Sequence, residues 1–256
     1  MSRRALTAAV LVASAGFAAA VAVPNRAQAG STTTATTPTT ATPRSTSSSS
    51  KIESVFPAAG QLLVHSVAAR KSPSPQASVI KVMHDFRPDF RPQEILAVKK
   101  QVGSDGKVWY KLDLPMRPNG TYGWVPASSV SLAPTTSKIV IHINARTIDV
   151  YRGNKHAYHA IVAVGAPGRE TPKGYFYVAA RFVPYHDAFL GVFALETSAY
   201  SKLTEWPGGG VVGIHGTSLP QLLGQAVSHG CVRVSNATAA ALKRLAPLGT
   251  PILITG

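Results

Sequence analysis

The chain has 256 residues, of which 26 are Lys or Arg and 11 Asp or Glu, a formal charge of +15. Five of those charges (Arg3, Arg4, Arg26, Arg44, Lys51) precede the first acid, Glu53, and the remainder still carries +10, which favours anionic partners. No nucleic-acid-binding motif accompanies the charge, so the expected partners are anionic envelope polymers rather than nucleic acid, and a single cysteine, Cys231, excludes an intramolecular disulfide.

The N-terminus has the layout of a secretory signal peptide. Arg3 and Arg4 lead an apolar run from Ala5 to Val23, and Ala27-Gln28-Ala29 offers a small-x-small cleavage site. Residues 1–29 are read as that peptide, which puts the protein outside the cytoplasmic membrane, on its wall or periplasmic side. An uncleaved membrane anchor is the alternative, since the run is long enough for a thin bilayer. Residues 30–54 are dominated by Thr, Ser, Ala and Pro. They bury too little apolar surface to fold and predict an extended linker.

Short apolar runs separated by turns follow over residues 55–133: Gln61–Val64, Ser78–Val82, Glu94–Val98 and Lys107–Leu112. Ser104-Asp105-Gly106 and Pro118-Asn119-Gly120 punctuate them. Strands at this spacing predict a small all-β barrel. Trp109, Tyr110 and Trp124 fit core packing better than a peptide groove. A break at Ala133-Pro134-Thr135 precedes a second domain, 137–256. Lys138–Ile143 and Thr147–Tyr151 alternate with period two, as half-buried strands do. Ala157–Val164, Tyr175–Val178 and Val211–Ile214 read as further strands. Between Phe182 and Gly210 the pattern loosens into an expected excursion or flap. One helix is predicted, Asn236–Ala246, capped by Ser235 or Asn236 and stopped by Pro247-Leu248-Gly249. The predicted class is mainly β: a small barrel, then a mixed-β domain with one C-terminal helix.

Cys231 lies in Ser228-His229-Gly230-Cys231-Val232-Arg233, and His215 ends the preceding apolar strand. A thiol attacks a carbonyl well only as thiolate, so it needs a base or a cation beside it. If His215's strand neighbours that of Cys231, the imidazole faces the sulfur. His229, two residues before Cys231, would share its face on an extended strand. Gly216 and Gly230 leave the backbone uncrowded, and the Gly230 and Cys231 N–H groups are candidate oxyanion donors. His215, His229 and Cys231 are also zinc-ligand types, but their spacing matches no familiar zinc site and a fourth ligand is not evident. No metal and no cofactor are expected here.

Two motifs now carry a resemblance. Ile214-His215-Gly216-Thr217 with Ser228-His229-Gly230-Cys231-Val232-Arg233 resembles the active-site signature of the L,D-transpeptidases, the YkuD-like family. Thr171-Pro172-Lys173-Gly174-Tyr175-Phe176 and the Gly-rich Trp206–Thr217 approach resemble further parts of it. Residues 107–132 resemble the end of a bacterial Src-homology-3-like domain. The family resemblance implies peptidoglycan stem peptides as substrate, with Cys231 as nucleophile and His215 as base. It also implies that the Gly216 carbonyl orients His215, with His229 and Ser228 in support. One branch of the family has Asn where Arg233 stands. Arg233 and Thr217 are candidates to bind substrate. Carbapenem β-lactams are implied as covalent inhibitors. Alternatives are a non-catalytic wall-binding protein, or an enzyme using water or a protein amine as acceptor. The sequence gives no oligomeric state. All the chemistry is expected within 137–256, with 55–133 positioning it on the wall.

Overall fold

The computed structural model describes residues 56–185, 187–205 and 207–256. The signal-peptide and linker readings, and Trp206, lie outside the described residues. Turn chemistry sets the first sheet. Asp105-Gly106 joins β4 (Glu94–Val102) to β5 (Val108–Asp113), and Asn119-Gly120 joins β5 to β6 (Tyr122–Pro126), both glycines having positive φ. With β1 (Ala58–Leu62), β2 (Ser66–Arg70), β3 (Val79–His84) and β7 (Val130–Pro134) they form an antiparallel sheet in the order β3-β2-β6-β5-β4-β1-β7. Trp109 and Trp124 are 2% and 7% exposed, so they are packing residues and not a groove.

The second sheet has eight strands, β10-β9-β8-β17-β12-β13-β14-β16. They are β8 (Ser137–His142), β9 (Thr147–Arg152), β10 (Lys155–Ile161), β12 (Gly174–Phe182), β13 (Ala194–Tyr200), β14 (Val211–His215), β16 (Val232–Arg233) and β17 (Pro251–Thr255). β17 runs parallel to β8, and β16 parallel to β14. A separate parallel pair joins β11 (Val164–Gly165) to β15 (Ala226–Ser228). The alternation read from the sequence buries Ile139, Ile141, Ile148 and Val150 on one face. Against that core packs α1 (Asn236–Leu245), with Ser235 Oγ accepting the Thr238 N–H at 3.0 Å as its cap.

The expected excursion between Phe182 and Gly210 requires correction. It contains β13, paired to both β12 and β14 in the middle of the sheet. Its sequence, ALETSAY, shows no apolar alternation because its polar residues are used inside the protein. Thr197 Oγ1 donates to Val212 O at 2.7 Å, Ser198 Oγ donates to Asp113 Oδ2 at 2.9 Å, and Glu196 pairs with Arg87.

Two of those partners, Asp113 on β5 and Arg87 in the connection from β3 to β4, belong to the first domain, so the two domains are joined closely. Tyr177, Ala179 and Leu96 form a shared apolar cluster, Tyr177 Oη donates to Glu94 O at 3.0 Å, and Asn119 exchanges two hydrogen bonds with Tyr200. Burial pushes the Asp113 and Glu94 carboxyls up to about 7. Their folded pKa therefore lies above the unfolded value. Between roughly pH 4 and pH 7 the folded state binds more protons, so stability falls as pH rises through that window. The melting temperature is expected to drop from about pH 5 to about pH 8, and Asp113→Asn to flatten the drop. Thermal melts in which wild type gains stability over that range would contradict this assignment.

Candidate active site

Strand register brings the site together. β14 pairs with β16 through Ile214↔Val232 and His215↔Arg233, which sets Gly213 beside Cys231. The Gly213 N–H donates to Cys231 Sγ at 3.3 Å. A Cβ built on Gly213 would lie 3.6 Å from His215 Cδ2 and 3.8 Å from Cys231 Sγ. Imidazole and thiol thus flank one face of the same glycine. His215 is 2% exposed, and its Nδ1 bonds Gly216 O at 2.7 Å. A carbonyl only accepts, so Nδ1 carries the proton and Nε2 keeps its lone pair.

Electrostatics around the pair follow from burial. Burial lowers the His215 pKa, Arg233 adds to that, and the Gly216 contact and Asp187 oppose it. Burial raises the Cys231 pKa, partly offset by the Gly213 N–H and the Arg233 charge. Both shifts favour the neutral forms. Together they favour a thiol beside a neutral imidazole over a thiolate–imidazolium pair.

The loop around the cysteine is held from behind. Ser228 Oγ donates to Cys231 O at 2.5 Å and accepts the Gly230 N–H at 3.1 Å. Gly230 is therefore corrected: its N–H is bound to Ser228 and does not face the cavity. Its role is conformational, with φ of 115°. That turn also ends the alternation, so His229 does not share Cys231's environment. Its Nε2 bonds the Arg169 guanidinium, and the ring lies outside the cavity lined by His215 and Cys231. Buried Thr171, seen in the sequence only as part of a motif, accepts Gly165 N–H and donates to Gly230 O, both at 2.9 Å. Thr217 is also corrected. It is 3% exposed, its Oγ1 accepts the Leu219 N–H, and it does not line the cavity.

The cavity holds about 740 Å³ and is lined by both sheets. His215, Cys231, Gly213 and Phe189 come from the second domain. Lys81, Arg87, Asp89, Arg91 and Gln93 come from the first. The expected separation, chemistry in one domain and positioning in the other, does not hold for the cavity wall. Arg233 is 6% exposed with its guanidinium 4.6 Å from the Phe189 ring centre, and its buried Nε has no hydrogen-bond partner among the described residues. A buried cation without a carboxylate is costly.

Residues 136–254 match the family model for the L,D-transpeptidase catalytic domain, YkuD. The YkuD proteins of Bacillus licheniformis and Bacillus subtilis are 31% and 32% identical to this chain over 118 and 116 residues, 46% and 45% of its length. The matches cover 65% and 64% of those proteins, so the chain spans just under two thirds of their length. Among solved structures, an L,D-transpeptidase from Mycobacterium tuberculosis is 16% identical, with 80% of this chain and 97% of that one covered and a TM-score of 0.43. An L,D-transpeptidase from Mycobacterium smegmatis is also 16% identical, with coverage of 58% and 90% and a TM-score of 0.41.

Proposed function

We propose that this chain, whose residues 136–254 form a catalytic domain of the L,D-transpeptidase (YkuD) family, cross-links peptidoglycan through a thioester on Cys231. The observation that carries the reading is the placement of His215 and Cys231 on one face of Gly213, with the imidazole proton fixed at Nδ1 by Gly216 O. The Nε2 lone pair takes the thiol proton as Sγ attacks the carbonyl before the terminal D-Ala of a stem tetrapeptide. With the Gly230 N–H bound to Ser228 Oγ, the Cys231 N–H is the backbone donor assigned to the oxyanion. The same imidazole returns its proton to the departing D-Ala amine. An amine of a neighbouring stem then attacks the thioester, and free thiol is restored. Water in place of that amine would give a carboxypeptidase. Arg233 is outside the cavity lining but packs on Phe189, which lines it, and from there its charge attracts a substrate carboxylate. Export by the signal peptide and retention at the wall by an Src-homology-3-like first domain complete the proposal, and carbapenems are its expected acylating inhibitors.

Mass spectrometry of purified protein incubated with a disaccharide-tetrapeptide tests the chemistry. The expected result is a mass gain on Cys231 with release of D-Ala, then cross-linked product. Product without any adduct on Cys231 would sink the proposal.

Gly213 supplies a finer test. Its Cβ contacts would be ordinary van der Waals distances, so Gly213→Ala is expected to fold. The methyl would fill the space that both side chains face, against His215 Cδ2 and Cys231 Sγ, and hinder their approach to each other and to substrate. Acylation is expected to slow by about 10²-fold, the cost of small misplacements of reacting groups. Acylation at wild-type rate would show that the two side chains do not act across that face.

A further inference from the structure

Three imidazoles surround one carboxylate on the face of β8, β9 and β10 opposite the core. His156 Nε2 lies 2.6 Å and His159 Nδ1 2.8 Å from Asp149 Oδ1, and His142 Nε2 lies 3.4 Å from Asp149 Oδ2. None of these residues lines the catalytic cavity. Their convergence depends on a local irregularity. His156 and His159 are three apart, and on a regular strand they would point to opposite faces. The register of β10 against β9 shifts between His156 and Tyr158, so Ala157 is an extra residue. The bulge sets His156 opposite Tyr151 and His159 opposite Asp149, and both imidazoles come to the Asp149 side. His142 joins them from β8, because Asp149 pairs with Val140, two residues before it. Tyr158, on the other face, packs against the core.

We propose that His142, Asp149, His156 and His159 bind a divalent transition-metal ion, with zinc the first candidate. Imidazole nitrogen with a single carboxylate suits Zn²⁺, Cu²⁺ or Ni²⁺, whereas Ca²⁺ and Mg²⁺ require oxygen-rich sites. One ligand atom each from Asp149, His156 and His159 already lies within 4.8 Å of the others. Zinc at about 2.0–2.1 Å from each ligand needs ligand atoms roughly 3.3 Å apart in a tetrahedron. Reaching that takes side-chain rearrangement on the order of an ångström, in side chains that are 40% (His142), 48% (His156) and 54% (His159) exposed. Thr255 Oγ1 lies 3.3 Å from His142 Nδ1, a second contact that leaves Nε2 turned to the site. β10 is the edge strand of its sheet, so an ion here would fasten that edge to β8 across β9. Its role is structural, and the catalytic pair is independent of it.

The catalytic thiol and His215 could themselves take zinc, so the test uses the untagged full chain carrying Cys231→Ala. Calorimetric titration with ZnCl₂ is expected to show about one ion per chain, and a rise in melting temperature with added zinc. A Co²⁺ titration is expected to give the visible absorption of a low-coordinate site. His156→Ala with His159→Ala should abolish both responses, and Asp149→Asn should weaken them. Melting without zinc reports whether each variant folds. β-lactam acylation of His156→Ala/His159→Ala with Cys231 intact should match wild type. Zinc binding that disappears with Cys231→Ala alone, or that survives the double histidine variant, overturns the proposal. So does an absence of binding in the Cys231→Ala protein.

Discussion

Cys231→Ala is expected to eliminate the covalent adduct with stem peptide and with β-lactam, and to lower turnover by on the order of 10⁴-fold or more. The argument starts from chemistry. A two-step acyl transfer needs an atom that holds the acyl group between donor and acceptor, and this chain has one thiol. That sulfur lines the cavity, contacts the Gly213 N–H, and faces the same space as His215. Alanine leaves the imidazole, the Arg233 charge and the cavity in place but removes the attacking atom. The fold is expected to tolerate the change. The thiol makes one weak hydrogen bond, and the loop is held by Ser228 and Thr171, which do not touch it. Loss of activity with an unchanged thermal melt is the expected pair of results. Substantial turnover by Cys231→Ala would remove the thioester mechanism, and an unfolded variant would make Cys231 a packing residue.

The sequence makes the centre of this site readable because the chemistry is local. His215 ends one short strand and Cys231 immediately precedes another, each beside a Gly, and the two strands pair in parallel. Period two is also legible where one strand face is buried, as in β8 and β9. It fails at three places for physical reasons. β13 hides its identity because half-buried Glu196 and buried Thr197 and Ser198 take polar partners. His229 leaves the thiol's face because Gly230 adopts a conformation with positive φ. His156 and His159 share a face only through the bulge at Ala157. The cavity wall supplied by Lys81, Arg87 and Arg91 was illegible for another reason. These residues lie more than a hundred positions from Cys231, and the packing of Leu96 on Tyr177 and Ala179, with the hydrogen bonds between the sheets, brings them to the site. Arg87 shows what that packing does. It pairs with Glu196 on β13, so a first-domain cation is fixed at the rim of the catalytic cavity.

His215→Ala is expected to lower the acylation rate by about 10²- to 10⁴-fold, the usual contribution of a general base, and His229→Ala by far less. Hydrogen-bond bookkeeping separates the two imidazoles. Gly216 O can only accept, so it fixes the His215 proton on Nδ1 and leaves Nε2 as a base. Arginine can only donate, so the Arg169 contact occupies the His229 Nε2 lone pair with a proton it cannot give up. His229 is therefore a support for the loop ahead of Cys231, and its removal should act through the position of Gly230. The pH profile adds an independent sign. His215 must be neutral to accept the thiol proton, and burial lowers its pKa below the ordinary 6.5. The acid limb of the acylation rate should thus lie below about pH 6.5, and the rate should hold as pH falls to that point. Burial also keeps Cys231 protonated at neutral pH, so the proton moves during attack and a solvent isotope effect on acylation is expected. Iodoacetamide labelling of the free enzyme should be slow for the same reason, because little thiolate stands ready. A larger loss from His229→Ala than from His215→Ala would transfer the base to His229. Fast alkylation at pH 6, with no solvent isotope effect on acylation, would replace the neutral pair by a preformed thiolate–imidazolium pair.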